Sequence, residues 1–273
     1  MVLSIRDITD FLETIAPMGL AESWDNVGLL LGRPDQEVHS VLIGLDPSLQ
    51  LLDEAIERGC DLIITHHPII FHPLKSIATD APTGIFIQRA LEHKIAVIGC
   101  HTNFDSAQDG VSDALAARLG LLDTSPLVPG EDQTGLGRIG LLDPPLSSKA
   151  FSDLLFDVLC LPTLMVAGKL PEQISRVAVC GGSGSELAET AQAMGADLYL
   201  SAEIKHSTAR WAEDAGFCII DGTHYATEFP LVELLAAKLV RHSTTRGWNI
   251  DVKQTKRETP PFTHINRTTG EQP

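Results

Sequence analysis

Short apolar runs alternate with helix-like segments along most of the chain, and this alternation limits the fold more than any other feature. Three runs lie in the first part, at residues 40–45 (SVLIGL), 61–65 (DLIIT) and 95–99 (IAVIG). Continuous apolar runs of this length are typical of strands that are buried on both faces, and helices between them are typical of parallel sheets. The order predicts an α/β fold with largely parallel sheets.

A second set of runs follows at residues 177–180 (VAVC), 197–200 (DLYL) and 217–220 (FCII). Three positions of the first part have identical counterparts at one constant offset: Val41 and Val177, Gly59 and Gly195, Asp61 and Asp197. Further along, the spacing Gly-x-His-x-x-x-carboxylate occurs at 99–105 and again at 222–228. We therefore predict a duplicated α/β unit, with two similar halves.

Residues 126–150 are rich in proline and glycine, which places the boundary between the halves there. We predict a first half at 1–125 and a second half at 126–273, with the final helix and a C-terminal strand free to pack back on the first half. The polar tail from about Asn266 is expected to be disordered.

Two local signals predict helix starts. Ser4 and Asp7 have the spacing of a capping box, and apolar residues follow them at helical spacing. Asp46 followed by Pro47 predicts a helix with Asp46 as N-cap and Pro47 as its first residue.

Charge excludes some classes of function. Lys and Arg number 20 against 36 Asp and Glu, a net charge of −16, which is unsuited to general binding of nucleic acid or anionic membranes. The first residues lack a signal-peptide pattern, and there is no apolar stretch of membrane-spanning length. The five cysteines contain no CxxC pair and are predicted to be buried thiols in a reducing compartment. A cytoplasmic protein is expected.

His66 and His67 directly follow the run 61–65 and precede Pro68. Ligands of open α/β sheets bind beyond the carboxyl ends of strands. Pro68 favours an extended backbone at His67, and neighbouring side chains on extended backbone point to opposite sides. The two imidazoles could serve two different metal ions; the alternative is a pair of ordinary turn histidines.

Two further pairs combine a histidine with a carboxylate four residues later, His101 with Asp105 and His224 with Glu228. Each pair follows an apolar run, so all these groups are expected at equivalent strand ends. Taken singly, Asp105 could be a loop cap and Glu228 a helix-start acid. Together they indicate a metal site, and nitrogen and oxygen ligands without thiolate suit Zn, Mn, Fe, Ni or Co.

Two loops of the second half have weaker signals. The glycine-rich turn 180–185 could hold an anion at a helix start or be an ordinary tight turn. Residues 203–206 could contact the ligands or the substrate, or form a solvated helix start. The remaining histidines named here lack a carboxylate at ligand spacing and are predicted to be surface or structural: His72, His93, His242 and His264.

Five stretches of the sequence carry a resemblance to a known family: 24–32 (WDNVGLLLG), 65–71 (THHPIIF), 101–105 (HTNFD), 177–186 (VAVCGGSGSE) and 223–229 (THYATEF). They are similar to the Nif-three-like family of dinuclear metal centre proteins, often labelled homologues of a type 2 GTP cyclohydrolase 1. The resemblance covers nearly the whole chain. It implies an α/β fold with two similar, interlaced α/β halves and a toroidal homohexamer whose metals face an inner cavity.

The resemblance also implies roles for single residues. The metal ligands would be His66, His67, Asp105, His224 and Glu228, holding two divalent ions per chain with Glu228 as the bridge. His101 matches a family position beside the metals, as a ligand or as a group that supports one.

Two classes of function remain open from the sequence. The first is a metal-dependent hydrolase acting on a nucleotide or phosphate metabolite, such as a GTP cyclohydrolase, with His101 or His206 as the catalytic proton donor. The second is a non-catalytic metal-binding scaffold, regulator or metal chaperone.

Overall fold

Two sheets organise residues 3–263, which are the residues that the computed structural model describes. The expectations for His264 and for the tail from Asn266 lie outside the described residues. The helices are α1 (Ile5–Ile15), α2 (Leu49–Glu57), α3 (Pro82–Glu92), α4 (Thr102–Ser106), α5 (Val111–Arg118), α6 (Ser148–Leu159), α7 (Ala188–Ala193), α8 (His206–Ala215), α9 (His224–Glu228) and α10 (Pro230–Arg246). The strands are β1 (Gly28–Leu31), β2 (Ser40–Gly44), β3 (Leu62–Thr65), β4 (Ala96–Gly99), β5 (Leu122–Ser125), β6 (Val128–Pro129), β7 (Gly135–Leu136), β8 (Arg138–Ser147), β9 (Met165–Ala167), β10 (Gln173–Ser183), β11 (Leu198–Ala202), β12 (Cys218–Asp221) and β13 (Asp251–Gln254).

The first sheet has the strand order β1-β4-β3-β2-β13, and the second has β5-β8-β10-β11-β12-β9. Strands β4, β3, β2 and β13 run parallel, as do β10, β11 and β12. Strands β1, β5, β8 and β9 pair antiparallel with their neighbours. The predicted α/β fold is confirmed, with parallel strands at the centre of each sheet and antiparallel strands added around them.

Helices cover both faces of each sheet, which explains why the central strands are apolar throughout. In the first sheet, Phe11 of α1 and Leu235 of α10 pack on one face, while Leu52 of α2 and Phe86 of α3 pack on the other. The second sheet is covered by α5 and α6 on one face and by α7 and α8 on the other.

The predicted repeat is visible in matching hydrogen bonds. Asp61 accepts hydrogen bonds from two backbone N–H groups, those of His39 and Ser40, through Oδ2. Asp197 accepts in the same way from the N–H groups of Ser175 and Arg176. Each aspartate therefore joins the start of one strand to the strand before it, at the same place in both halves.

The proposed equivalence of the two His-x-x-x-carboxylate segments is wrong by one residue. Gly99 pairs with Thr65 in the first sheet, and the residue paired with Ser201 in the second is Asp221, not Gly222. His101 is consequently the N-cap of α4, whereas His224 is the first residue of α9. Two residues separate the strand from the helix in both halves, so the motif itself lies one position later in the second half, and sequence offsets do not show sheet register.

The two halves exchange segments. Strand β5 lies before residue 126 but pairs with β8 of the second sheet, and β13 lies near the end of the chain but pairs with β2 of the first. The proline- and glycine-rich segment 126–150 contains the β6–β7 hairpin and strand β8. This connection between the halves is therefore itself part of the second sheet.

One of the two predicted helix starts is confirmed, and the other is wrong. The capping box of Ser4 and Asp7 is present. The helix predicted to begin after Asp46 instead begins at Leu49, with Ser48 as N-cap, because the Ser48 hydroxyl accepts from the N–H of Leu51.

Two further expectations can be compared with residues 3–263. Four of the five cysteines are buried as expected, and Cys160 is exposed. None of the described helices is both long enough and apolar enough to cross a lipid bilayer.

Candidate metal centre

The predicted ligands converge from both halves of the chain. His66 and His67 directly follow β3, and Asp105 lies in α4, just beyond β4. His224 and Glu228 begin and end α9, which follows β12 of the other sheet. The carboxyl ends of parallel strands from the two sheets therefore face one another across this centre, the usual place for a binding site in such sheets.

The Glu228 carboxylate lies at the middle of the centre. Its Oε1 is 3.6 Å from Nε2 of His66, which is also 3.6 Å from Oδ1 of Asp105. Its Oε2 is 3.2 Å from Nε2 of His67 and 3.0 Å from Nε2 of His224. Two groups that could each hold a metal ion therefore share this carboxylate: His66–Asp105–Glu228 and His67–His224–Glu228.

His101 joins a third group of this kind with His66 and His67. Its ring centroid lies 5.1 Å from that of His66 and 5.4 Å from that of His67. The structure thus brings together all six residues that the sequence predicted for the site.

Each of the four histidines has its Nδ1 fixed by a second protein group. The partners are the backbone oxygen of Cys100 for His66 (2.7 Å), Asp46 for His67 (2.7 Å), Asp25 for His101 (2.9 Å) and Glu203 for His224 (2.9 Å). A metal-binding histidine usually donates its other N–H in this way, which fixes the tautomer and the ring orientation.

The centre is built to receive cations. His66 and Glu228 are almost fully buried, and His66 Nε2 has no hydrogen-bond partner. A buried polar atom without a partner is costly, so this nitrogen, 3.6 Å from oxygens of both Asp105 and Glu228, indicates a ligand. The donor set of imidazole nitrogens and carboxylate oxygens fits divalent metals.

The Glu228 carboxylate packs against Gly182, in the space that a side chain at position 182 would fill. A Cβ at this position would lie 2.0 Å from Glu228 Oε1 and 3.3 Å from His224 Nε2. Its φ of +65° also favours glycine. The glycine-rich turn 180–185, considered above as an anion site, therefore packs against the carboxylate of Glu228.

Burial and neighbouring charges shift the pKa values of several residues in the centre. Burial raises the pKa of Asp105 to about 7, and the charge of Glu228 adds to this shift, against the opposing effect of His66. Burial disfavours the charged form of His67, but hydrogen bonds to Asp46 and Glu228 outweigh it and raise its pKa to about 10. In the same way Glu228 raises the pKa of His224 to about 9. Two buried carboxylates thus require positive charge beside them, from protons or from metal ions.

Three carboxylate residues hold the Nδ1 atoms of histidines in the centre, and the sequence analysis missed them or gave only a weak signal for them. Asp46 was misread as a helix cap, Asp25 was noted only within a motif, and Glu203 was considered as one of two alternatives. Asp46 and Glu203 share a recognisable signal, since each is the first charged residue beyond a strand that ends at the centre. Glu203 also has a φ of +53°, and strained backbone of this kind is frequent at functional sites.

The other histidines lie elsewhere. His206 is exposed at the start of α8, and His72 and His93 are exposed as expected. The ring of His242 packs between Phe11 and Trp248, at centroid distances of 4.4 Å and 4.8 Å, which confirms a structural role.

Comparison with known proteins agrees with the fold and the motifs. The model of the family described as Duf34/NIF3 (NGG1p interacting factor 3) matches residues 3–261. The chain belongs to the Duf34/NIF3 family. The resemblance noted from the sequence motifs is thereby confirmed.

Curated proteins similar to this chain have the name "GTP cyclohydrolase 1 type 2 homolog". One from Streptomyces coelicolor is 36% identical over 266 residues, which cover 95% of this chain and 93% of that protein. One from Clostridium acetobutylicum is 30% identical over 265 residues, covering 96% and 99%.

Solved structures of other proteins superpose closely on this chain. A hypothetical protein of Staphylococcus aureus has a TM-score of 0.92 at 31% identity, covering 97% of this chain and 100% of that one. A structure described as reduced HcgD from Methanocaldococcus jannaschii has a TM-score of 0.76 at 28% identity, covering 94% and 99%.

Proposed function

We propose that the centre holds two divalent metal ions and that the protein is a metal-dependent hydrolase acting on a nucleotide or phosphate-containing metabolite. The observation that carries the proposal is the Glu228 carboxylate, which lies between two histidine-containing groups with one oxygen facing each. A carboxylate in this position is suited to bridge two ions. The relatives' name supports a nucleotide as the substrate.

The residues divide between two ions. His66 and Asp105 would hold one, His67 and His224 would hold the other, and Glu228 would touch both. Zn, Mn, Fe, Ni or Co suits this donor set. Such an ion pair would supply Lewis acidity and activate water for hydrolysis.

His101 is proposed as the catalytic acid–base group. Asp25 holds its Nδ1 at 2.9 Å, and the Asp25 carboxylate is fully buried. This contact leaves Nε2 of His101 available to exchange a proton with a substrate. The alternative role, a further metal ligand, is distinguished by His101→Ala. A proton-handling residue would lower turnover more than metal content, whereas a ligand would lower both together.

Metal analysis of protein purified without added metal tests the site. We expect close to two divalent ions per chain in the wild type. Glu228→Ala should lose both, because the carboxylate faces both groups, and His67→Ala should mainly lose one. His93→Ala, a change of an exposed histidine away from the centre, is the control and should retain both ions. Unchanged metal content in Glu228→Ala would refute the assignment.

Activity is tested by screening nucleotides, including GTP, with Mn, Zn, Fe, Co and Mg. Asp105→Ala supplies the background, because it removes a ligand beyond a strand end and no core residue. Turnover above that background is expected for at least one combination. If no combination exceeds it, the hydrolase proposal fails and a non-catalytic metal-binding scaffold or chaperone becomes the better description.

We also propose a closed homohexamer and a cytoplasmic location. The hexamer is supported by the family resemblance alone. The location is supported by the free thiols, including the exposed Cys160, which are stable under reducing conditions.

A further inference from the structure

Two large aromatic side chains are exposed at the edge of the metal centre. Trp24 is 56% exposed and Phe71 is 38% exposed, and their ring centroids lie 5.7 Å apart. The centroids of Trp24 and Phe71 lie 6.1 Å and 5.9 Å from that of His101. We call Trp24 and Phe71 the aromatic surface.

The aromatic surface is held in place by polar contacts of the residues next to Trp24. Asp25 accepts hydrogen bonds from the N–H of Thr102 at 3.0 Å and from its hydroxyl at 2.5 Å. The amide of Asn26 donates to the backbone oxygen of Ile70, beside Phe71, at 2.5 Å. The loop of Trp24 is thereby fastened both to the start of α4 and to the loop that follows β3. A surface fixed in this way loses little entropy when it binds a ligand.

A cavity connects the aromatic surface to the proposed metal ligands. It has a volume of about 330 Å³, and its lining includes Trp24 and His101 together with Asp105 and Glu228. This volume is within the range of small-molecule sites, roughly 300–1,000 Å³. A single ligand could therefore contact Trp24 and the metal centre together.

The charge of the cavity limits what that ligand can be. Glu22 and Glu186 also line it, and no Lys or Arg is found among its lining residues within 3–263. Carboxylates accept hydrogen bonds from N–H groups, whereas a phosphate group near them would be repelled. This part of the cavity therefore favours an uncharged ring that bears N–H groups.

We propose that the aromatic surface binds a planar nitrogen heterocycle, such as a nucleobase, stacked on the exposed indole of Trp24. Phe71 supports the indole from the side, and Glu22 and Glu186 offer acceptors for the N–H groups of the ring. This inference deepens the proposed function and rests on it. The heterocycle provides recognition within the cavity, and any phosphate must lie outside its acidic part.

Tryptophan fluorescence tests the proposal independently of turnover. The double variant Trp211→Phe with Trp248→Phe leaves Trp24 as the only indole. The matched control, Trp24→Phe with Trp248→Phe, leaves only Trp211, which packs against Phe217 with centroids 6.1 Å apart. Guanosine should quench Trp24 saturably and leave Trp211 unchanged. Inorganic triphosphate, which has no ring, should quench neither.

Substitution of Trp24 in the otherwise natural chain gives a second measurement. Equilibrium dialysis with labelled guanosine should show an affinity at least ~10-fold lower for Trp24→Leu, and close to the natural value for Trp24→Phe, because aromatic stacking contributes this much. Metal content should be unchanged in both variants. Unchanged guanosine affinity in Trp24→Leu, or equal quenching by triphosphate, would overturn the proposal.

Three other outcomes separate this proposal from related ones. If Trp24→Leu reduces the oligomer size in light scattering without lowering guanosine affinity, Trp24 belongs to a contact between copies and the ring-binding proposal is wrong. If guanosine quenches Trp24 but the protein holds no metal, the proposed function fails while the ring site stands. If metal and turnover are retained but guanosine does not bind, only the ring site fails.

Discussion

Replacement of Gly182 by alanine should empty the metal centre without removing any ligand. The added Cβ would lie 2.0 Å from Glu228 Oε1. Ordinary van der Waals contact requires roughly 3.4 Å or more, so the carboxylate oxygen must retreat by about 1.4 Å. Metal–ligand distances tolerate deviations of only about 0.2 Å. A displacement of this size removes the shared carboxylate from both groups.

A matched control variant separates the loss of metal binding caused by this contact from the loss caused by backbone strain. Gly182 has a φ of +65° and Gly195 has a φ of +78°, so alanine at either position costs roughly 1–2 kcal/mol in the left-handed region. Nothing lies within 4 Å of a Cβ at Gly195. Any difference in metal binding between the two variants therefore measures the contacts of the added Cβ with Glu228 and His224.

The assay is competition for metal against a chromophoric chelator, with metal content confirmed by elemental analysis. We expect Gly182→Ala to bind both ions at least about 100-fold more weakly than the natural chain, since loss of groups that merely support ligands already costs about 10–100-fold. Gly195→Ala should bind both ions normally. Natural affinity in Gly182→Ala, or an equal loss in Gly195→Ala, would refute the reasoning.

Three further predictions concern protons, the Asp25 contact and assembly. The pKa of His67 is raised from 6.5 to about 10, so its proton stabilises the metal-free fold below pH 6.5, and this stabilisation is lost as the pH rises through 10. The urea midpoint of metal-stripped protein should fall over that interval, and a rising midpoint would contradict the shift. Asp25→Asn should lower metal-dependent turnover about 10–100-fold with metal content retained, because the acceptor of His101 loses its negative charge. An equal loss of metal would instead make Asp25 a support for metal binding. Light scattering should give the mass of six chains of 29.4 kDa, and a monomer at micromolar concentration would exclude the hexamer.

The sequence alone was sufficient to predict the central strands and the chemical types of the proposed ligands. The apolar runs predicted β2, β3, β4 and their counterparts because burial on both faces requires continuous apolar residues. The ligand types were readable because a histidine or carboxylate directly after such a run must lie at the carboxyl end of a strand. His66, His67 and Glu228 were named on this basis together with the family motifs.

Only the tertiary structure decided which distant groups support those ligands. Asp46 follows β2 and was misread as a helix cap, yet it lies 2.7 Å from His67 Nδ1, twenty-one positions away. Asp25 is separated from His101 by seventy-six positions, and Glu203 from His224 by twenty-one. No spacing rule covers such pairs, because they form only when separate loops are packed together.

The sheet register and the exchange of segments between the halves were also decided by tertiary structure. The His-x-x-x-carboxylate motif of the second half lies one position later on its strand and helix than that of the first half, and only the pairing of β11 with β12 reveals this shift. Strand β13 joins β2 although about two hundred residues separate them. Local sequence determines whether a segment can form a strand, because that depends on its own side chains. Its neighbour is determined by backbone hydrogen bonds and burial, which depend on the rest of the folded chain.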